Sequence, residues 1–251
     1  MSPAAENHAE KAHFERAIEI RARDFNRAQP RPINLLTPYI QERLRGIATL
    51  IEVPRGGEAL FNEGDPVAHV HFIASGFVRL SRQAASGRRQ VIAFLLPGDV
   101  FGFPEQGLHV NSARALGDAT LYQAPWAAFN ALMEDEPALQ GSLLVRMAFD
   151  LRLAQKRILV LGQQNVSQRL ATFLLELMDH EDFYDPQQKH LSLPLSRFDL
   201  GDYLGTSAET VVRVLSRLEK DGVIRRISSR LLHIPNRDAL VRLLRGRRRT
   251  D

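Results

Sequence analysis

Residues 206–220 contain the side chains best suited to chemical recognition. Glu209, Val212, Arg213 and Ser216 lie at positions i, i+3, i+4 and i+7, so on a helix they share one face. An arginine there can donate two hydrogen bonds to guanine, a glutamate can accept one from cytosine, and a valine can contact the methyl group of thymine. The pattern predicts that Glu209, Val212 and Arg213 read DNA bases. The simpler interpretation makes Glu209 a helix-capping residue and Arg213 a surface residue.

The flanking sequence favours base recognition. Ser196-x-x-Asp199 and Thr206-x-x-Glu209 both have the spacing of helix-start signals, and the second is the fuller capping box. Gly205 lies between them. A short helix, a tight glycine turn and a second helix form a helix-turn-helix, which can present its second helix to a major groove.

The C-terminal end of the chain is strongly basic, although the net charge is only +4. Residues 223–234 are predicted to form two short strands around the Ser228-Ser229 turn, which would be the wing of a winged helix. Arginines and serines of this kind contact phosphates, which position a protein without specifying sequence. The predicted DNA-backbone residues are Ser196, Ser207, Ser216, Arg217, Arg225, Arg226, Ser228, Ser229 and Arg230.

A third set of residues is apolar and regularly spaced. Its members follow one another at intervals of 3, 4, 3, 4 and 3, the a and d positions of a heptad: Leu144, Met147, Leu151, Ala154, Ile158 and Leu161. Such a stripe often packs into a core. Here the flanking residues are charged (Arg146, Asp150, Arg152, Lys156 and Arg157), which leaves a narrow seam. We therefore expect a parallel homodimer through a helix from Pro137 to Leu161.

The remaining sequence indicates the elements that position these residues. Residues 51–125 contain short β-like runs such as Val70–Ile73 and Val91–Leu95, separated by turn signals, which predicts a β-roll or jelly roll. The predicted fold class is α+β. Its parts are an N-terminal extension (1–34), a β-roll sensor or scaffold domain (35–130), a dimerisation helix (131–164) and a winged helix-turn-helix DNA-binding domain (165–251), with a polar break at 180–189.

Composition excludes several classes of function. The chain has 251 residues and no cysteine, so disulfides, thiol redox switches, cysteine nucleophiles and cysteine-ligated iron–sulfur or zinc sites are excluded. No apolar run is long enough to span a bilayer and the N-terminus is polar, so we expect a cytoplasmic protein with no membrane partner. The sequence shows no nucleophile elbow, phosphate-binding loop, metalloprotease motif or dinucleotide fingerprint, so we expect neither an enzyme nor a metal site.

Taken together, these features resemble the CRP/FNR superfamily of bacterial transcription regulators over nearly the whole chain. In the roll, the resemblance is carried by Glu63-Gly64-Asp65, by Gly76 and by Leu96–Phe103. It implies a sequence-specific activator that binds a palindrome as a homodimer, with recognition helices roughly 34 Å apart in successive major grooves of bent DNA. It also implies contact with RNA polymerase, for which the Ala84–Arg89 hairpin is a candidate.

Within the superfamily, cyclic-AMP-responsive members carry a Gly-Glu-Leu element and an Arg-Ser pair. This chain has Gly102-Phe103-Pro104 and Asn111-Ser112 instead, so cyclic AMP binding in the usual mode is not expected. Both the roll and the recognition helix, with Ala208 before Glu209, resemble the FNR/FixK branch, which implies a TTGA-like site and control linked to low oxygen, nitrogen oxides or related metabolism. That branch usually has serine in place of Val212, which leaves the outer bases open.

Two alternatives to a cofactor-free regulator remain from the sequence. The lack of N-terminal cysteines makes the chain similar to FixK-type members without an iron–sulfur cluster, and some cluster-free relatives bind haem. His69, His71 and His109 lie in the roll and could be ligands, although ordinary polar histidines on the surface or at the rim are the simpler interpretation. A non-DNA module that binds a small molecule is the second alternative, and it would lack salt-dependent binding to duplex DNA.

Overall fold

The computed structural model describes residues 38–54, 56, 59–85 and 87–244, except for the side chains of Pro38 and Tyr39. The predicted N-terminal extension and the terminal basic segment 245–251 lie outside the described residues.

The chain combines an antiparallel β-rich unit with a helical C-terminal unit, which confirms the α+β class. Its helices are α1 (Pro38–Arg45), α2 (Trp126–Asp135), α3 (Pro137–Gln163), α4 (Val166–Met178), α5 (Arg197–Leu204), α6 (Ala208–Lys220) and α7 (Arg237–Leu244). Its strands are β1 (Thr49–Val53), β2 (His69–Ser75), β3 (Val78–Gln83), β4 (Arg89–Leu95), β5 (Val100–Phe101), β6 (Ser112–Ala115), β7 (Ala119–Pro125), β8 (Tyr184–Asp185), β9 (His190–Ser192), β10 (Arg225–Arg226) and β11 (Leu231–His233).

Two antiparallel sheets form the β-roll. One has the strand order β1-β7-β2-β5 and the other β4-β3-β6. Alternate side chains of these strands point inward, where Ile73, Val78 and Leu121 are fully buried. A second cluster, which includes Phe72 and Phe129, joins the larger sheet to α1, α2 and the start of α3. The roll therefore has a closed core of its own.

The long helix α3 has two apolar faces. Leu139, Leu143 and Phe149 are buried. On the opposite face, Leu144 is 72% exposed and Ile158 is 69% exposed. The predicted dimer residues Met147, Leu151 and Ala154 are exposed as well, while Leu161 is partly buried. The single chain thus leaves the predicted seam uncovered.

The charged flanks of that seam differ from the prediction, because several of them pack against the rest of the chain. Arg146 is only 3% exposed and donates a hydrogen bond from Nη2 to Asp99 Oδ1 at 2.7 Å. Lys156 bonds Glu176 on α4, and the Arg157 guanidinium lies 3.5 Å from the centroid of the Tyr203 ring. These charges fix α3 to its own chain.

The C-terminal unit is built around α4, whose buried face includes Leu170 and Leu174. Residues of α5 and α6 pack into the same cluster. A four-stranded sheet of order β10-β11-β9-β8 closes the unit. The predicted polar break at 180–189 lies between α4 and α5, and most of its residues are exposed. It also contains β8, which pairs with β9 in a hairpin that the sequence did not indicate. The strands of this hairpin are too short and too polar to show a period of two.

The roll and the C-terminal unit touch through aromatic side chains and ion pairs. Phe94 on β4 lies 4.8 Å from Tyr203 and 5.8 Å from Phe173, centroid to centroid. Beside them, Arg79 Nη1 on β3 donates to Asp199 Oδ1 on α5 at 2.5 Å. The outer face of the three-stranded sheet is therefore docked on the first helix of the helix-turn-helix.

Candidate nucleic-acid interface

The first helix of the motif, α5, has a complete cap at each end. The Ser196 side chain accepts from Asp199 N, and the Asp199 side chain accepts in turn from Ser196 N, which is a reciprocal capping box. At the other end, Gly205 has φ 66° and ψ 42°, a left-handed conformation that costs glycine little. These caps stop α5 after eight residues and turn the chain sharply.

The second helix, α6, begins later than the sequence suggested. Its N-cap is Ser207, whose hydroxyl accepts from Thr210 N at 3.2 Å. The prediction that Thr206 and Glu209 form the fuller capping box is therefore wrong, and the full box is that of α5. The reason is that Ser207 adopts the extended backbone of a cap, with φ −86° and ψ 158°, and its own hydroxyl bonds the helix start.

The two helices meet at Gly201. A Cβ built at this position would lie 3.0 Å from Thr206 O and 3.1 Å from Ala208 N, so a larger residue would push the turn away. The inner face of α6 is buried through Val211, Leu215 and Leu218. Close packing at Gly201 thus fixes the angle at which α6 leaves the domain.

The outer face of α6 carries the predicted base-reading residues. Glu209, Val212, Arg213 and Ser216 are all exposed, and Val212 is 42% exposed. Arg213 Nη2 donates to Thr210 Oγ1 at 2.9 Å, which holds the guanidinium along the helix. The structure brings these four side chains together on one accessible face.

The ionisation of Glu209 suits a hydrogen-bond acceptor. A hydrogen bond with Ser207, the residue's own backbone N–H and the charge of Arg213 all lower the pKa of its carboxyl group. The group is therefore a carboxylate at neutral pH, as acceptance from a cytosine amino group requires.

The wing lies beside this face. Strand β10 pairs with β11, and the turn at 227–230 joins them, with Ser228 and Ser229 exposed and Arg230 partly exposed. Arg225 is exposed, whereas Arg226 Nε donates to Glu219 Oε2 on α6 at 2.7 Å and its charge is balanced there. The wing thus offers cations and hydroxyls at its tip.

The other predicted backbone residues fall on the helix starts and on the outer part of α6. Ser207, Ser216 and Arg217 are exposed, while the hydroxyl of Ser196 donates to Asp199 Oδ2 at 2.7 Å and is used within the cap. Sequence reasoning missed Arg197, whose Nη2 donates to Ser229 O at 3.0 Å and ties α5 to the wing. No local signal separates this arginine from its many basic neighbours.

Two of the three histidines of the roll lie in its interior, whereas His69 is partly exposed. His71 and His109 are buried, and the His109 ring stacks on Phe61 at 3.6 Å between centroids. Burial lowers the pKa of His71 to about 4, with further lowering by His69 and His109. The interpretation of His71 and His109 as surface histidines is wrong. Within the residues that the structure describes, no three metal-ligating side chains are grouped to hold an ion.

The place that takes a cyclic nucleotide in cyclic-AMP-responsive regulators has different side chains here. The ring of Phe103 packs 6.3 Å from both Trp126 and Phe129, so this side chain belongs to an aromatic cluster. Asn111, where an arginine would pair with a phosphate, is an uncharged, partly buried amide. The residues present do not fit a cyclic nucleotide bound in that way.

Known proteins match both units of the chain. Residues 168–243 match the family model of the Crp-like helix-turn-helix domain, and residues 52–136 match that of the cyclic nucleotide-binding domain. Nitrogen fixation regulation protein FixK of Rhizobium meliloti is 30% identical over 213 residues, which are 85% of this chain and 96% of the relative. FixK of Bradyrhizobium diazoefficiens is 33% identical over 168 residues, 67% of this chain and 71% of the relative.

Solved structures agree with these matches. The structure of FixK2 from Bradyrhizobium japonicum superposes with a TM-score of 0.71 and 32% identity, covering 78% of this chain and 97% of that one. A winged helix-turn-helix joined to a β-roll through a long helix defines a DNA-binding transcription regulator rather than an enzyme. The chain belongs to the CRP/FNR superfamily, in its FixK-like branch.

None of the helices in the described part of the chain is both long enough and apolar enough to cross a membrane.

Proposed function

We propose that this regulator binds an inverted repeat related to TTGA as a homodimer, with Glu209, Val212 and Arg213 reading bases. The observation that carries the proposal is the exposed face of α6, which holds an arginine, a carboxylate and a valine within about one helical turn. Arg213 pairs with the guanine of a G·C base pair, Glu209 accepts from a cytosine, and Val212 contacts a thymine methyl group.

The wing and the helix starts position the protein. Ser207, Arg225 and Arg230 contact phosphates on either side of the bases, and such contacts bind all sequences alike. Bending the duplex toward the wing adds contacts at a deformation cost of order 1–6 kcal/mol. The protein thus reads the bases through α6 and binds the DNA backbone through the wing and the helix starts.

The dimer forms through the exposed seam of α3. An isolated helix face that exposes Leu144, Leu151 and Ile158 to water is unfavourable, and a second copy in parallel register covers it. Because the opposite face of α3 is anchored to the roll through Leu143 and Arg146, the pairing of two helices also orients two rolls and two DNA-binding units.

The regulator acts without cyclic AMP, haem or an iron–sulfur cluster. Phe103 and Asn111 support the first point. The second is supported by the burial of His71 and His109, whose rings stack on Phe101 and Phe61. The absence of cysteine from the sequence supports the third. The names of the relatives, which include the fumarate and nitrate reduction regulatory protein of Escherichia coli, support a role in oxygen-linked control.

We place the protein in the cytoplasm as an activator that contacts RNA polymerase. The Ala84–Arg89 hairpin is the candidate contact.

Selection of bound sites from randomised duplex DNA tests this function. The wild-type protein should recover an inverted repeat with G·C-containing half-sites. Arg213→Ala should lose roughly 1–3 kcal/mol of binding free energy and relax the preference at one base pair. The matched variant Arg230→Ala should weaken binding to every sequence and flatten its salt dependence. An Arg213→Ala protein with unchanged site preference would contradict base reading by α6.

The dimer has a separate test. Leu151→Glu places a charge in the seam, so the protein should sediment as a monomer and lose half-site cooperativity on DNA, while the thermal stability of the single chain changes little because Leu151 is 61% exposed. Arg45→Glu, a charge change of similar exposure on α1, serves as the control. A Leu151→Glu protein that remains dimeric would exclude this seam.

A further inference from the structure

A row of three polar side chains runs along the start of α6. Ser207, Thr210 and Arg213 follow one another at intervals of three residues, so they are neighbours on the helix surface. Arg213 Nη2 donates to Thr210 Oγ1 at 2.9 Å, and the hydroxyl oxygens of Ser207 and Thr210 lie 3.2 Å apart. The backbone N–H of Thr210 also donates to Ser207 Oγ at 3.2 Å. We call these three residues the polar row.

The hydroxyl group of Thr210 has a well-defined position. Threonine is branched at Cβ, which restricts its χ1 angle in a helix, and Thr210 is partly buried. A hydroxyl group carries one proton and two acceptor lone pairs, whereas arginine can only donate. Thr210 Oγ1 is therefore the acceptor in the bond with Arg213, and its own proton is available for Ser207 Oγ. The cap residue of α6 thus holds the hydroxyl group that holds Arg213.

The bond with Thr210 sets the direction of the Arg213 donors. Among the residues that the structure describes, Thr210 is the one hydrogen-bond partner of this side chain. The charge of Glu209 attracts the same guanidinium group, but an attraction between exposed charges does not fix the orientation of a flexible side chain. The partial positive charge of the helix start repels a cation. Without the Thr210 hydroxyl group, the guanidinium group should therefore leave this position.

The same bond leaves Arg213 able to read guanine. A guanidinium group has five N–H donors, and Nη2 carries two of them, one on each of the two edges that can donate in parallel. With one Nη2 proton on Thr210, the other edge still offers two parallel donors, which guanine accepts through O6 and N7. A long side chain loses conformational freedom when it binds, and the bond with Thr210 removes part of this freedom before DNA arrives.

We propose that Thr210 is a positioning residue for base recognition, which orients the Arg213 guanidinium group toward the guanine of a G·C pair. The proposal rests on the base-reading function proposed above and adds to it a residue that makes this reading selective. An arginine without the bond can turn toward other bases or toward phosphates, which carry no sequence information. Loss of the Thr210 hydroxyl group should therefore lower selectivity more than affinity.

Thr210→Val tests the proposal, since valine has nearly the shape of threonine but no hydroxyl group. Fluorescence anisotropy measures the Kd of the full chain for the duplex that site selection recovers and for duplexes changed at the base pair that Arg213 reads. The ratio of these Kd values should fall about three- to tenfold, the usual effect of ordering one long side chain. The ratios at other base pairs should change less than about twofold. Thr210→Ser should restore most of the selectivity.

Thr206→Val is the matched control, because the Thr206 hydroxyl group makes no hydrogen bond within the described part of the chain, and it should keep the selectivity of the wild type. The double variant Thr210→Val/Arg213→Ala should be as selective as Arg213→Ala alone, since Thr210 acts only through Arg213. The salt dependence of Thr210→Val should equal that of the wild type, because no phosphate contact is lost.

Two results would overturn the role of Thr210 and leave base reading by α6 intact. One is a Thr210→Val protein as selective as the wild type, in an experiment where Arg213→Ala loses selectivity. The other is an equal loss of affinity for all duplexes with a flatter salt dependence, which would make Thr210 a phosphate contact. If Arg213→Ala itself keeps the site preference, the proposed function fails and this inference fails with it. Thermal melting checks the fold of each variant, and Thr210→Ala replaces Thr210→Val if the latter is unfolded.

Discussion

Replacement of Arg146 by methionine tests how α3 is held to the roll. The Arg146 side chain is 3% exposed and lies between two carboxylates, Asp99 at 2.7 Å and Asp150 at 2.9 Å. Methionine fills much of the same space but carries no charge. Asp99, with a side chain that is 8% exposed, then loses its cation inside the protein, while the 38% exposed Asp150 can be hydrated.

The cost arises mainly at Asp99. Removing one partner of a buried ion pair destabilises a protein by about 3–5 kcal/mol, because the other charge remains buried without compensation. Asp99 keeps the backbone N–H of Leu96 as a donor at 2.8 Å. We therefore expect the lower end, about 3 kcal/mol, which for a chain of this length lowers Tm by roughly 6–12 °C.

Chemical denaturation of Arg146→Met and of the double variant Arg146→Met/Asp99→Asn measures this effect. The double variant should recover much of the lost stability, since no unpaired charge remains. A deficit below about 1 kcal/mol, or a double variant that is no more stable than the single one, would refute this reasoning and indicate a packing effect only.

Two further predictions concern the roll and the helix-turn-helix. The pKa of His71 is about 4 in the folded chain and about 6.5 in the unfolded one, so the free energy of unfolding should fall as the pH drops from about 6.5 to about 4, by up to about 3 kcal/mol. Denaturation curves of His71→Gln should lack this part of the pH dependence. If the stability of His71→Gln varies with pH as that of the wild type does, another group causes the effect. Gly201→Val should abolish specific DNA binding in a gel-shift assay, since the valine side chain would collide with the turn at Thr206. The control Gly117→Val, where a Cβ meets no atom within 4 Å, should bind DNA normally. Equal binding by both variants would contradict a role for close packing at Gly201.

Much of the interface could be predicted because its signals are local. The face of α6 follows from a period of 3.6, so Glu209 and Arg213 lie together on the exposed side of the helix as expected. Helix starts were predicted less accurately. Thr206 and Ser207 are both acceptable cap residues, and only the backbone path after Gly205 decides between them.

The contacts between distant segments could not be predicted. Arg146 has the same local pattern as an exposed flanking charge of a dimer helix, yet Asp99, its partner, comes from a turn in the roll. Asp199 was predicted only as a capping residue, although β3 supplies the arginine that it binds. Sequence periodicity gives the face on which a charge lies but does not give the element that covers that face.

The double use of Asp199 links the two units of the chain. One of its oxygens accepts from Ser196 in the cap of α5, and the other accepts from Arg79 and Arg89 of the roll. The cap fixes the start of α5, and close packing at Gly201 fixes the position of α6 relative to α5. Since the same carboxylate holds the helix start and the roll, a change in the charge of the three-stranded sheet acts directly on the helix that carries the base-reading face. No contact through α3 is needed for this coupling.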